Sequence, residues 1–169
     1  MTAARQERKP HRGGIVLRTL VGAAIAILCL VPAPAGAGTT ERIVTNPYSG
    51  LALSGYDPVA YFTDAAPKVG RGDLELRFAG ATWRFRNEGN RAAFAANPDV
   101  YMPRFGGYDP VAVARGVNTA GHPELWLIAE KRLYLFYSAA ARESFEHDPE
   151  RAIDAAEQHW PELLRTLVR

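Results

Sequence analysis

Alternating apolar and charged residues predict a β-hairpin near the middle of the chain. Residues 74–78 read Leu-Glu-Leu-Arg-Phe, which is the period of a strand with one buried face. Residues 79–81 form a turn, and apolar and polar residues alternate again over 82–86 on the returning strand. Asn87 then caps a helix that ends before Pro98, because proline disfavours helical geometry in the residue before it. The pattern predicts a ββα unit.

The same unit recurs further along the chain. Residues 55–60, Gly-Tyr-Asp-Pro-Val-Ala, reappear at 107–112, and a later pattern of aromatic, cap and proline positions recurs at nearly the same offset. In this second copy, residues 125–128 and 133–137 form the hairpin and Ser138 caps the helix. The second return strand, Leu-Tyr-Leu-Phe-Tyr, is apolar on both faces, which predicts a central strand covered on both sides.

These elements predict an α+β fold in which tandem ββα units surround a central antiparallel sheet with flanking helices. The predicted limits are 38–53 for a lead-in, 54–169 for the domain, about 55–101 for copy one and about 107–153 for copy two, with C-terminal helices to 169. In that last part, Asp148 caps one helix and Pro161 is expected to open another.

The first 37 residues show a different pattern. A basic segment to Arg18, an uncharged apolar run from Thr19 to Val31 and small residues up to Ala37 are typical of a secretory signal peptide. The apolar run is shorter than the ~20 residues that span a bilayer, which favours cleavage over an uncleaved anchor. Cleavage after Ala37 fits best, and Ala35 is the alternative. We therefore expect a periplasmic or secreted protein with a Sec-type leader at residues 1–37.

The net charge of +2 is unevenly distributed. Residues 1–37 hold five Lys or Arg and one acidic residue, and subtracting these from the totals of 20 and 18 leaves 15 basic and 17 acidic residues, a net charge of −2. This balance argues against nucleic acid and, after leader cleavage, against a membrane as partner. The only cysteine, Cys29, lies in the leader, so the remainder has no thiol for a disulfide, redox or thiolate metal site.

Several stretches, 54–62, 80–101, 105–116 and 121–135, together with Trp160-Pro161, resemble the YHS domain family. The match is to its exported, two-copy branch, which is related to TRASH-type metal-binding domains. Metal-binding relatives carry cysteines after the aromatic strand and one helical turn later, and exported members often carry Cys or selenocysteine after Gly-Gly-Tyr. The matching positions here are Arg86, Asn90, Tyr137, Ala141 and Asp109. The resemblance implies the fold without the family's sulfur chemistry.

The two Tyr-Asp-Pro turns are the first candidate site. Tyr56 and Asp57 in copy one match Tyr108 and Asp109 in copy two. If the copies pack about a pseudo-two-fold axis, these four could line one cleft, bind a ligand such as a hard cation, or share a proton. The alternative, favoured by ordinary Asp-Pro chemistry, is that each aspartate hydrogen-bonds to its own turn and the tyrosines are packed.

Histidines and arginines supply weaker candidates. His122, His147 and His159 could contribute to a zinc or copper site, but their spacing is not that of a helical ligand pair. Three arginines and a glutamate should project from one side of the first hairpin, as a solvated face or, less favoured, an anion site: Arg77, Arg84, Arg86 and Glu75.

The sequence thus predicts a non-catalytic binding or accessory module of the cell envelope, whose partner is an unknown small ligand or envelope protein. It contains no nucleophile elbow, phosphate loop or dinucleotide fingerprint. One alternative is a periplasmic copper or zinc protein with Asp and His ligands, the only reading that needs a cofactor, a divalent metal. The other is an acid–base enzyme that uses Asp57 and Asp109.

Overall fold

Two β-hairpins, each followed by a helix, organise residues 41–167, the part of the chain that the computed structural model describes. In chain order the elements are α1 (Ala60–Thr63), β1 (Arg71–Phe78), β2 (Ala81–Phe85), α2 (Glu88–Ala96), α3 (Pro98–Tyr101), α4 (Pro110–Val113), β3 (His122–Ala129), β4 (Arg132–Phe136), α5 (Ala139–His147) and α6 (Pro149–Thr166). The α+β class and the two ββα units are confirmed. The leader, its cleavage site and Cys29 lie outside the described residues.

The predicted caps begin the helices as expected. The Asn87 side chain accepts a hydrogen bond from the Asn90 backbone N–H at 2.8 Å, and Ser138 Oγ accepts one from Ala141 N–H at 3.1 Å. Each cap satisfies one of the backbone donors that a helix leaves unpaired at its start. Local sequence therefore fixes where α2 and α5 start.

The duplication extends to single backbone hydrogen bonds. Asp57 N–H donates to Lys68 O at 2.8 Å, and Asp109 N–H donates to Thr119 O at 2.8 Å. Both copies also open with a 3₁₀ turn, Leu53–Gly55 and Arg104–Gly107, that contains left-handed backbone. The stretch from Asp57 to Lys68 is one residue longer than the matching stretch from Asp109 to Thr119, which explains why the repeat offset falls by one along the sequence.

One phenylalanine anchors each helix to its hairpin. The Phe94 ring of α2 lies 5.0 Å from Trp83 and 5.3 Å from Phe85, between ring centroids. The second copy reproduces these contacts, with Phe145 of α5 at 5.0 Å from Tyr134 and 5.2 Å from Phe136. We call the cluster around Phe94 the first core and the cluster around Phe145 the second core. All six rings are buried.

The hairpins pack together without pairing, so they form two two-stranded antiparallel sheets in place of one continuous central sheet. The outer edge of each return strand is already occupied. Leu51 bridges to Thr82 on β2, and Pro103 bridges to Leu133 on β4. These short extended segments lie at the edges through which the return strands could otherwise pair with another strand.

Strand β4 lies between the two cores. Leu133 and Leu135 on one face belong to the first core, while Tyr134 and Phe136 on the other face belong to the second core. Each of the four side chains is at most 2% exposed, which confirms the prediction of a strand covered on both sides.

The last helix, α6, runs without interruption from Pro149 to Thr166 with Pro161 inside it, so the prediction that Pro161 opens a new helix is wrong. A proline within a helix removes a hydrogen bond and costs about 3 kcal/mol. The apolar stripe of α6, including Ile153 and Trp160, packs against the second core and offsets that cost. Within residues 41–167, no helix is both long and apolar enough to cross a bilayer.

Candidate functional site

The Asp57 carboxylate is fully buried and joins three parts of copy one. Its Oδ1 accepts a hydrogen bond from Val59 N–H at 2.8 Å, within the turn. Its Oδ2 accepts one from Arg86 N–H at 2.8 Å and one from the Asn90 side-chain amide at 2.7 Å. The aspartate therefore ties the opening turn to the end of β2 and to the start of α2.

Asp109 has the same role in copy two and is 2% exposed. Its Oδ1 accepts from Val111 N–H at 2.8 Å and from Ala112 N–H at 3.3 Å, and its Oδ2 accepts from Tyr137 N–H at 2.9 Å. Ala141, which matches Asn90, offers no side-chain donor. Both carboxylates thus serve as acceptors for backbone donors, which corresponds to the turn interpretation of these residues.

The tyrosine hydroxyls of the two turns donate hydrogen bonds to residues outside the turns. Tyr56 Oη donates to Glu124 Oε1 at 3.0 Å, and this hydrogen bond to a carboxylate raises the pKa of Tyr56. Tyr108 is buried and its Oη donates to Glu41 O at 2.6 Å, in the lead-in. These hydrogen bonds do not join the four predicted residues into one set, and ligand binding by them stays a prediction.

The three candidate histidines are exposed and lie on separate elements. His122 Nδ1 accepts from Glu124 N–H at 3.2 Å, His159 Nδ1 lies 3.0 Å from Ala155 O, and His147 ends α5. Among residues 41–167, no three His, Cys, Asp or Glu side chains come together as a metal site would require.

The arginine face of the first hairpin is a solvated surface with ion pairs. Arg84 pairs with Glu75 at 2.8 Å, and Arg86 pairs with Asp64 at 3.2 Å, with each of these side chains between 34% and 44% exposed. Such exposed pairs contribute ~0–1 kcal/mol each. These arginines already have acidic partners, which favours the solvated-face interpretation.

The structure contains a groove that sequence reasoning missed. It has a volume of about 570 Å³ and lies between the lead-in, the turn of the first hairpin, the segment before α4 and the second half of α6. Its larger apolar side chains are Ile43, Met102, Pro103, Trp160 and Leu164. The volume and the lining of this groove are similar to those of pockets that bind small molecules. Such pockets are mostly apolar and contain a few polar groups.

The lead-in forms one wall of this groove because Gly106 lets it approach. Val44 N–H donates to Gly106 O at 2.8 Å, and a Cβ atom on Gly106 would lie 1.9 Å from Arg42 O. Gly106 also has a φ of +63°, which side-chain-bearing residues rarely adopt. The Tyr108 hydroxyl donates a hydrogen bond to Glu41 O and so fixes the position of the residue that precedes Arg42.

Arg42 is the only charged residue among the described residues that line the groove. Its Nε is buried and has no hydrogen-bond partner, and its guanidinium makes no ion pair within residues 41–167. The neighbouring carboxylate, Glu41, accepts a hydrogen bond from the Thr45 hydroxyl. A charged donor beside an apolar groove is therefore left without a protein acceptor.

Comparison of the chain with protein-family models, with curated proteins and with solved structures finds no match. The function is therefore argued from the geometry of the site and from the chemistry of its residues.

Proposed function

We propose that the chain is a non-catalytic binding module that acts outside the cytoplasm and holds a small, largely apolar molecule in the groove beside α6. The groove itself carries this proposal, because it combines about 570 Å³ of space with an apolar wall that includes Trp160 and Leu164. The extracytoplasmic location rests on the signal-peptide pattern of residues 1–37.

The hydrogen bonds of the two buried aspartates favour a binding protein over an acid–base enzyme. An acid–base role for Asp57 and Asp109 requires carboxylate oxygens that reach a substrate. Both residues are buried, and every one of their oxygens accepts a hydrogen bond from the protein. These contacts support a structural role for the pair, and we therefore prefer the groove as the candidate site.

We also propose that the chain is a relative of the YHS domain that lacks the cysteines of that family. Position 109, where exported members often carry Cys or selenocysteine, and position 137, where metal-binding members carry Cys, are neighbours here, because Asp109 accepts a hydrogen bond from Tyr137 N–H at 2.9 Å. The fold would persist while the pocket for a ligand lies elsewhere.

Binding of decanol by the purified protein tests the proposed function. We expect saturable binding of one molecule by isothermal titration calorimetry. Leu164→Trp should abolish it, because the larger side chain fills the groove that Leu164 lines. Arg165→Trp is the matched control, since Arg165 is the next residue on α6, is exposed and does not belong to the described lining.

Two results would contradict the proposed function. One is the absence of binding for decanol and for decanoate alike. The other is a Leu164→Trp variant that unfolds at the same temperature as the parent protein and still binds the probe with unchanged affinity.

A further inference from the structure

We infer that Arg42 makes the groove selective for apolar molecules that end in a carboxylate, such as a free fatty-acid anion. This inference rests on the proposed function and specifies its ligand class. It starts from the Nε atom of Arg42, which is buried at the groove and has no hydrogen-bond partner among residues 41–167.

An unsatisfied buried donor raises the free energy of the folded protein, more so when the donor is charged. An acceptor in the groove cannot reach a nitrogen without accessible surface, so a ligand gains from Arg42 by pairing with the charge of its guanidinium, which forms no ion pair within residues 41–167. A purely apolar ligand cannot do so. The guanidinium presents its donors in a planar fork that matches the two oxygens of a carboxylate. The geometry therefore favours an acidic head group over a neutral one.

No neighbouring acid competes for Arg42. Glu41 adjoins it and lines a smaller cavity of about 60 Å³ with it, but the Glu41 carboxylate accepts a hydrogen bond from Thr45 and forms no ion pair with Arg42. Within the described residues, the positive charge of Arg42 is thus available to a ligand.

The rest of the groove suits an aliphatic tail. Ile43 lies beside Arg42 on the lead-in, and Met102, Trp160 and Leu164 also line the groove. Trp160 also packs edge-on against Phe105 at 5.6 Å, so its position is fixed by the second core. A ligand with its carboxylate at Arg42 would place its chain against these apolar side chains.

Decanoate and decanol have the same tail and differ in the head group, so their affinities measure the contribution of Arg42. Decanoate should bind about tenfold more tightly than decanol, as expected for a charged hydrogen bond at a half-buried site. In Arg42→Gln this ratio should fall to about one, and Arg42→Lys should give an intermediate ratio because a point charge replaces the fork. Decanoate binding should also weaken as salt rises.

Equal affinities for the two probes, or a ratio that Arg42→Gln leaves unchanged, would overturn the inference while leaving the proposed function intact. Failure of both probes to bind would overturn the proposed function itself. Sedimentation adds a further test. A dimer that Leu164→Trp abolishes would mean that a second copy covers the groove, and it would overturn the inference. Binding to phosphatidylglycerol vesicles without binding to decanoate would do the same.

Discussion

Asp109 Oδ2 accepts a hydrogen bond from Tyr137 N–H at 2.9 Å, and this contact ties the turn that opens copy two to the end of its return strand. Asp57 makes the equivalent contact with Arg86 N–H at 2.8 Å. Both carboxylates are buried, so water cannot replace them as acceptors. Loss of either carboxylate would leave several backbone donors without partners, which is costly in a protein interior.

We therefore expect Asp109→Asn to lower the free energy of unfolding by about 2–4 kcal/mol, because the amide has one acceptor oxygen in place of two and turns its own donors toward backbone N–H groups. Asp57→Asn should have an effect of the same sign. Urea denaturation followed by circular dichroism measures both. The control is Asp73→Asn, which alters an exposed ion pair with Arg71 and should change stability little. A loss as small as that of the control would contradict the structural role.

Local patterns in the sequence are sufficient to predict the two ββα units. Alternation predicted the hairpins, Asn87 and Ser138 predicted the helix starts, and the two-sided apolar character of β4 predicted that both of its faces are covered. These features depend on residues close together in the chain, where periodicity and side-chain caps act directly. The duplication was visible for the same reason, because both copies repeat the same local signals.

The groove could not be predicted in this way. Its walls come from four segments that are distant in sequence, and their proximity depends on tertiary packing. Gly106 was visible only as part of a Gly-Gly-Tyr match, although its contact with Arg42 O decides where the lead-in lies. The continuity of α6 through Pro161 depends likewise on packing against the second core, which outweighs the local preference of proline.

A second prediction concerns Gly121, where the chain passes close to β4. A Cβ atom there would lie 2.5 Å from Leu135 Cβ and 2.9 Å from Gly107 O. Gly121→Ala should therefore destabilise the protein by about 1–3 kcal/mol, since backbone or core atoms must move. In copy one, Gly70→Ala should lower the stability by a similar amount, because the added atom would lie 2.6 Å from Arg84 Cβ.

Gly72→Ala provides the matched control for these glycines. The nearest atom to its added Cβ is Nη2 of the flexible Arg84 side chain, at 3.6 Å. Thermal denaturation should show a melting temperature close to that of the parent protein for Gly72→Ala and a clear decrease for the other two. Equal melting temperatures for all three variants would contradict the close approach.

A third prediction concerns alkaline stability. Tyr61 is buried, its Oη donates to Pro123 O at 2.9 Å, and burial raises the pKa of its phenol well above the ordinary value. The unfolded chain releases this proton near pH ~10, whereas the folded protein retains it. The contribution of Tyr61 is therefore complete below that pH and is lost as the pH rises further, at about 1.4 kcal/mol per pH unit.

In Tyr61→Phe this part of the alkaline loss should disappear, while stability near neutral pH falls by about 1 kcal/mol because the buried carbonyl of Pro123 loses its donor. Urea denaturation at a series of alkaline pH values measures the slope. Some slope should remain, since burial also raises the pKa of Tyr134. Tyr48→Phe, at a residue that is 98% exposed, should retain the full slope, and an equal slope in both variants would refute this explanation.

The position of β4 between the two cores predicts that they unfold together. Leu135 packs in the first core and its neighbour Phe136 packs in the second, so neither core can lose β4 without exposing the other. Leu135→Ala should lower the free energy of unfolding by about 2–5 kcal/mol through the cavity it leaves. It should do so without separating the transitions of the two cores, because the shared strand couples them.

The indole N–H signals of Trp83 and Trp160 report on the first and second core, respectively, in two-dimensional NMR spectra recorded during a urea titration. We expect both signals to disappear at one midpoint in the parent protein, and at one lower midpoint in Leu135→Ala. The exposed substitution Val100→Ala is the control and should leave the midpoint nearly unchanged. If Trp83 lost its native signal at a urea concentration where Trp160 kept it, the two copies would be independent folding units, and β4 would be a boundary between them.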